Sequence, residues 1–145
     1  MAFLVDAMGG DVARILRMCG HDAVYVLDRG IEDDNAVKRL ALDERRTLVT
    51  RDRDLAARTP DSLLLTAKDT DEQLRELAVA GVTLKPAAGE RCGACNGELE
   101  SVPQEAARPD YVSDDADTVW RCRDCGQYFW RGSHWTNLER RLEEI

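Results

Sequence analysis

Two Cys-x-x-Cys pairs, Cys92/Cys95 and Cys122/Cys125, stand 26 residues apart in this chain. Each pair turns the backbone tightly enough to aim two thiolates at one cation, and two pairs complete a tetrahedron. Gly93 and Gly126 relieve crowding in the turns. Four thiolates fill the shell of Zn²⁺, so the spacing predicts a structural zinc with no open position for chemistry. A single pair also reads as a redox or disulfide motif. Two pairs in a chain without an export signal read as a metal site. Cys19 falls on the apolar side of a helical pattern and reads as core.

The other properties are those of a soluble globular protein. Of the 145 residues, 43% are apolar and 33% charged. The Phe3-Leu4-Val5 run is too short for a signal peptide or a membrane span, so no membrane association and a cytoplasmic location are expected. The formal net charge of −8 is unfavourable for general phosphate binding. It suits a carboxylate cluster built to hold cations, and leaves room for a basic protein partner.

A composition break near Leu84-Lys85-Pro86-Ala87-Ala88-Gly89 divides the chain into residues 1–86 and 87–145. All three Trp and four of the five Cys follow it. Before it, short apolar runs alternate with helical periodicity. Strands are predicted at Phe3–Val5, Ala23–Leu27, Thr47–Thr50 and Ser62–Leu65. Helices are predicted after each, with Val12, Ile15, Leu16 and Cys19 inward in the first and Val37, Leu40 and Ala41 in the second. A short third helix covers Asp52 to Ala57. A fourth covers Asp69 to Ala80, with Leu74, Leu77 and Ala78 inward. Gly20 is the expected stop of the first helix. Near-continuous apolar strands separated by helices imply an α/β fold, a parallel sheet with helices on both faces. The zinc ribbon follows, then a C-terminal helix with Ser133 as its expected N-cap. Trp135, Leu138, Leu142 and Ile145 share the docking face of that helix.

Asp6 follows the first strand, Asp34 opens the helix after the second, and Asp52 and Asp54 follow the third. In a parallel sheet these places lie at the carboxyl edge, where α/β folds put their sites. Any one of these aspartates alone reads as a helix cap or turn residue. Three elements aiming carboxylates at one edge read as a site for Mg²⁺ or Mn²⁺. Such ions activate water and stabilise the attacking and leaving oxygens of a phosphodiester. Arg14 and Arg17, one helical turn apart, are expected on the outer helix face, and Arg51 and Arg53 interleave with the aspartates. All four serve either phosphate contact or ion pairing, and both readings stand. Arg131 and His134, in the aromatic–basic run Tyr128 to Trp135, are further candidate substrate contacts. That run suits base stacking or a partner, with packing between ribbon and sheet as the alternative.

Phe3-Leu4-Val5-Asp6-Ala7-Met8, Ala13-Arg14, Leu16-Arg17 before Gly20, and Leu48-Val49-Thr50-Arg51-Asp52 resemble the PIN-like Mut-seven C-terminal RNase family. Arg91-Cys92, Cys95-Asn96-Gly97-Glu98-Leu99, Trp120-Arg121-Cys122 and Cys125-Gly126 through Tyr128-Phe129-Trp130-Arg131-Gly132-Ser133-His134-Trp135 resemble that family's zinc ribbon. The resemblance implies a PIN-like fold and metal-dependent cleavage of RNA. It places Mg²⁺ or Mn²⁺ on Asp6, Asp34, Asp52 and Asp54, with structural Zn²⁺ on the cysteines. Many PIN proteins are toxins restrained by a partner, so an inhibitory protein partner is compatible with the resemblance. A non-catalytic RNA- or protein-binding module is the competing function. Other acidic phosphotransfer folds fit less well. A Toprim-like site wants Glu where Asp6 stands. A receiver domain wants a Lys opposite its acceptor, and only Lys68 is near.

Overall fold

The computed structural model describes all 145 residues as two sheets with five helices. Strands β1 (Ala2–Val5), β2 (Asp22–Tyr25), β3 (Thr47–Thr50) and β4 (Ser62–Leu64) form a parallel sheet in the order β2-β1-β3-β4. Register pairs Leu4 with Val24 on one side and Leu48 on the other. The helices are α1 (Gly10–Met18), α2 (Asp34–Asp43), α3 (Arg53–Arg58), α4 (Thr70–Val79) and α5 (Ser133–Glu143).

Strand alternation divides the core in two. Phe3, Val5 and Val49 face α1, α4 and α5, packing against Ile15, Leu16, Leu74, Leu77, Leu138 and Leu142. Leu4, Val24 and Leu48 face α2 and α3, against Val37, Ala41 and Leu55. Helices therefore cover both faces, as the apolar strand runs require.

The second sheet is antiparallel: β5 (Leu99–Ser101), β6 (Val119–Cys122) and β7 (Tyr128–Trp130), in the order β5-β6-β7. It carries the second cysteine pair at the end of β6. Helix α5 leaves this ribbon and returns to the first core, where Arg141 also pairs with Asp71 at the start of α4.

Several local expectations are corrected. The second strand ends at Tyr25, and Val26–Arg29 winds into a 3-10 turn. Ala78 is exposed, and Gln73 is buried instead, its amide donating to Ala67 O. Gly132, not Ser133, caps α5, without a side-chain hydrogen bond. Gly20 does end α1, with φ of +83°. Gly9 is buried so tightly that a Cβ there would meet Val5 Cγ1 at 2.6 Å.

Candidate functional site: an acidic sheet edge beside a four-cysteine ribbon

The chain runs from β1 outward to β2, then returns across the sheet to β3 on the other side of β1. The gap between the carboxyl ends of β1 and β3 is thus the topological switch point, the crevice in which open α/β sheets bind ligands. Asp6 and Asp52 flank it.

Thr50, the last residue of β3, joins them. Its fully buried hydroxyl donates to Asp6 Oδ2 at 2.6 Å and accepts from the Asp52 amide at 3.0 Å. The Ala7 amide holds Asp6 Oδ1 at 2.8 Å. Asp52 caps α3, its Oδ1 accepting from the amides of Asp54 and Leu55. Its Oδ2 accepts nothing, and the Asp54 carboxylate has no partner. Asp34 is the first residue of α2 and pairs with Arg58 at 3.5 Å, while Asp33 is the cap. The four carboxylates do not converge as the cysteines do. Only the cysteines bring three or more potential ligand atoms within 4.8 Å of one another.

Three neighbours of this edge were not legible as such in the sequence. Tyr25 donates to Ala7 O at 2.6 Å. Burial, then the charges of Asp28, Asp6 and Asp11, push its phenol above the usual value, which places Asp11 and Asp28 in the same acidic field. Glu76 of α4 accepts from the amides of Thr66 and Ala67 just beyond β4. Burial alone would raise its carboxyl; those amides, with Arg51 nearby, outweigh it and hold the pKa below the usual range. Thr50 is the third: a threonine at a strand end has no pattern that distinguishes it from core.

The arginines separate. None of the molecule's ion pairs involves Arg14, Arg51, Arg53 or Arg131. Arg51 is half-buried, with its Nε shielded from water and unpartnered. Arg17 is a correction. It lies on no outer face but is buried, donating to Ala23 O at 2.8 Å and Gly93 O at 3.1 Å, with Asp28 3.5 Å away. The ribbon covers a helix face that periodicity assigns to solvent. Arg131 stacks its guanidinium over Trp120, 5.9 Å from the ring centroid, and His134 is exposed.

The cysteine donor set fits zinc. A tetrahedron with ~2.3 Å Zn–S bonds has edges of ~3.8 Å. Cys92 and Cys125 sulfurs lie 3.7 Å apart, those of Cys95 and Cys122 3.5 Å. Amides of Asp124 and Cys125 point at the Cys122 sulfur. Burial raises that thiol, but these amides and the neighbouring cysteines hold it below its ordinary value, whereas burial keeps Cys92 and Cys95 above theirs.

The fold and site define a parallel α/β domain with an acidic switch point and an appended four-cysteine ribbon. The family model described as the Mut7-C RNAse domain matches residues 1–142, and the chain belongs to that family. No curated protein and no solved structure matches it. No helix is long and apolar enough to cross a membrane.

Proposed function

We propose that the chain is a divalent-metal-dependent ribonuclease hydrolysing RNA phosphodiester bonds at the carboxyl edge of its parallel sheet. The observation that carries this reading is the Asp6–Thr50–Asp52 linkage across the switch point. Family membership supports ribonuclease chemistry as its purpose.

Asp6, Asp52, Asp54 and Asp34 would hold Mg²⁺ or Mn²⁺. The donor set suits such ions, which keep several waters and need only a few carboxylates: Asp52 Oδ2 and Asp54 are free to accept. A bound divalent ion supplies water activation and charge neutralisation at the phosphate. The chain's own groups supply orientation. Thr50 and the Ala7 amide pin both Asp6 oxygens, and the α3 amides pin one oxygen of Asp52 and leave the other outward. Arg51, half-buried and in no ion pair, would be the nearest arginine for a phosphate contact.

Cleavage of a total RNA pool with and without Mn²⁺ tests this. Asp6→Asn and Asp52→Asn should abolish cleavage while the fold persists. Thr50→Val should lower the rate about 10- to 100-fold, as loss of a group that orients metal ligands does. Full activity in both aspartate variants, purified free of contaminating nuclease, would sink the proposal. Binding of RNA without cleavage under both ions would favour a binding module instead, a reading motivated by the aromatic–basic run Tyr128 to Trp135.

A further inference from the structure

The ribbon, α1 and the start of α5 enclose a groove of about 800 Å³ outside the acidic edge. Its walls hold Trp120, Trp130 and Trp135, none of which enters either hydrophobic core. Trp135 departs from the docking face expected of it: Leu138, Leu142 and Ile145 pack at the first core, while Trp135, like Trp120 and Trp130, stays half-buried at the groove. Tyr111, 56% exposed, faces Trp130 with ring centroids 6.2 Å apart and 33° between planes. Glycine backbone seats two of the rings. A Cβ on Gly89 would meet Trp120 Nε1 at 2.5 Å, and one on Gly132 would meet Trp130 Nε1 at 2.7 Å. The indole edges thus rest against main chain, with Arg131 over one face of Trp120 and Tyr111 beside Trp130, and both indoles stay half-exposed.

The charge of the groove runs against that of the molecule. The chain carries −8, yet the groove is lined by Arg14, Arg91, Arg131 and His134, with Asp115 its one carboxylate. Arg91 is partly committed to Asp22, 4.0 Å away. Arg14 and Arg131 pair with no carboxylate. Aromatic faces with unpaired guanidinium groups beside them are what unpaired bases and their phosphates require. A duplex hides its base faces and could use only the cations. Arg14 also lies one turn into α1, which begins just beyond Asp6.

We infer that this groove binds single-stranded RNA, stacking bases on Trp130, Trp120 and Tyr111 and holding phosphates with Arg14 and Arg131. The choice of RNA rests on the ribonuclease reading above. The test is fluorescence anisotropy with a labelled oligouridylate, using full-length, zinc-loaded Asp6→Asn protein and no added Mg²⁺ or Mn²⁺. Binding should quench tryptophan emission. In the same background, Arg14→Gln with Arg131→Gln should make the slope of log affinity against log salt shallower by about 1.4. Tyr111→Ala, at an exposed loop position, should weaken binding about tenfold at every salt concentration. Circular dichroism and zinc content confirm that each variant is folded.

Unchanged affinity in both the arginine and the Tyr111 variants would overturn the inference. So would tighter binding of an RNA duplex or of oligothymidylate. Polyglutamate binding as well as oligouridylate would assign the groove to an acidic protein and overturn it too. Because the assay involves no cleavage, its failure leaves the nuclease test above untouched, and the reverse also holds.

Discussion

Arg17 shows how much a single side chain can hold in a small α/β domain. Its Nε and Nη1 satisfy two backbone carbonyls, one on β2 and one in the first cysteine turn, and its remaining edge faces Asp28. A buried cation is tolerated only with such partners. Arg17→Gln cannot reach all three and leaves carbonyls in a water-poor seam. The substitution should cost about 2–3 kcal/mol of stability, read as a lower urea midpoint with unchanged slope. A midpoint within experimental error of the parent would show that the ribbon does not lean on this residue. Lysine would not restore the loss, because one ammonium cannot span the planar fork that meets both carbonyls. Thr50 makes the complementary case. Two hydrogen bonds give it a role in the site, yet its hydroxyl is as buried as the neighbouring valine.

At the scale of elements, β2 is an edge strand that the first cysteine turn closes. Asn96, with φ of +72°, accepts from the Ala23 amide at 2.9 Å and donates to Asp22 at 2.7 Å. Asp22 also accepts from Arg46 at 2.8 Å, and Arg46 reaches Glu44 at 2.7 Å. Burial raises the Asp22 carboxyl, but Arg46, Asn96 and Arg91 outweigh it, so its pKa lies below the ordinary 3.8. Glu44, bonded to Arg29 and Arg46, lies below its ordinary 4.5. Both groups bind protons more readily unfolded than folded. Their contribution is thus complete above their ordinary values and fades as pH falls through the depressed ones. Stability from this joint should be level above about pH 5 and decline below about pH 4. Asp22→Asn should flatten that decline and cost about 1 kcal/mol at neutral pH, a modest figure because the carboxylate is about a third exposed. Denaturant titrations from pH 3 to 7 check both; an equally steep acid limb in the variant would assign it to other carboxylates. Asn96 stands beside Cys95 in the chain, but nothing in its spacing reveals that it closes a strand more than seventy residues away. The strands themselves were legible because each contains a short run of consecutive apolar residues. Cross-element bonds of this kind leave no period to read.

The whole molecule is a two-sheet assembly whose parts depend on one another unequally. The four-strand sheet has its own double-sided core, yet α5, which completes one side with Leu138 and Leu142, arrives only after the ribbon. Cysteine spacing made the four-cysteine cluster legible, and strand ends made the place of Asp6 and Asp52 at the sheet edge legible. The burial of Arg17, the groove and the return of α5 to the core depend on where the ribbon docks, which no local pattern encodes. On the zinc assignment, docking in turn should depend on the metal. The ribbon has three short strands, and its buried residues are few: Cys92, Gly93, Gly97, Val112, Val119 and Cys122. So small a core should need a bound metal to hold. Two kinds of metal loss should therefore separate. Brief dialysis against a weak chelator removes the oxygen-bound ion of the proposed site. Cleavage should stop, the circular dichroism spectrum should be unchanged, and Mn²⁺ alone should restore activity. A strong zinc chelator, or Cys122→Ser, frees the ribbon and with it α5. Melting temperature should fall, Leu138 and Leu142 should become exposed to an apolar dye, and Mn²⁺ should restore nothing until zinc is returned. If zinc-stripped protein kept both its melting temperature and its dye response, the ribbon would be a passenger. The inward path of α5 argues otherwise, since the chain can reach that core only through β7.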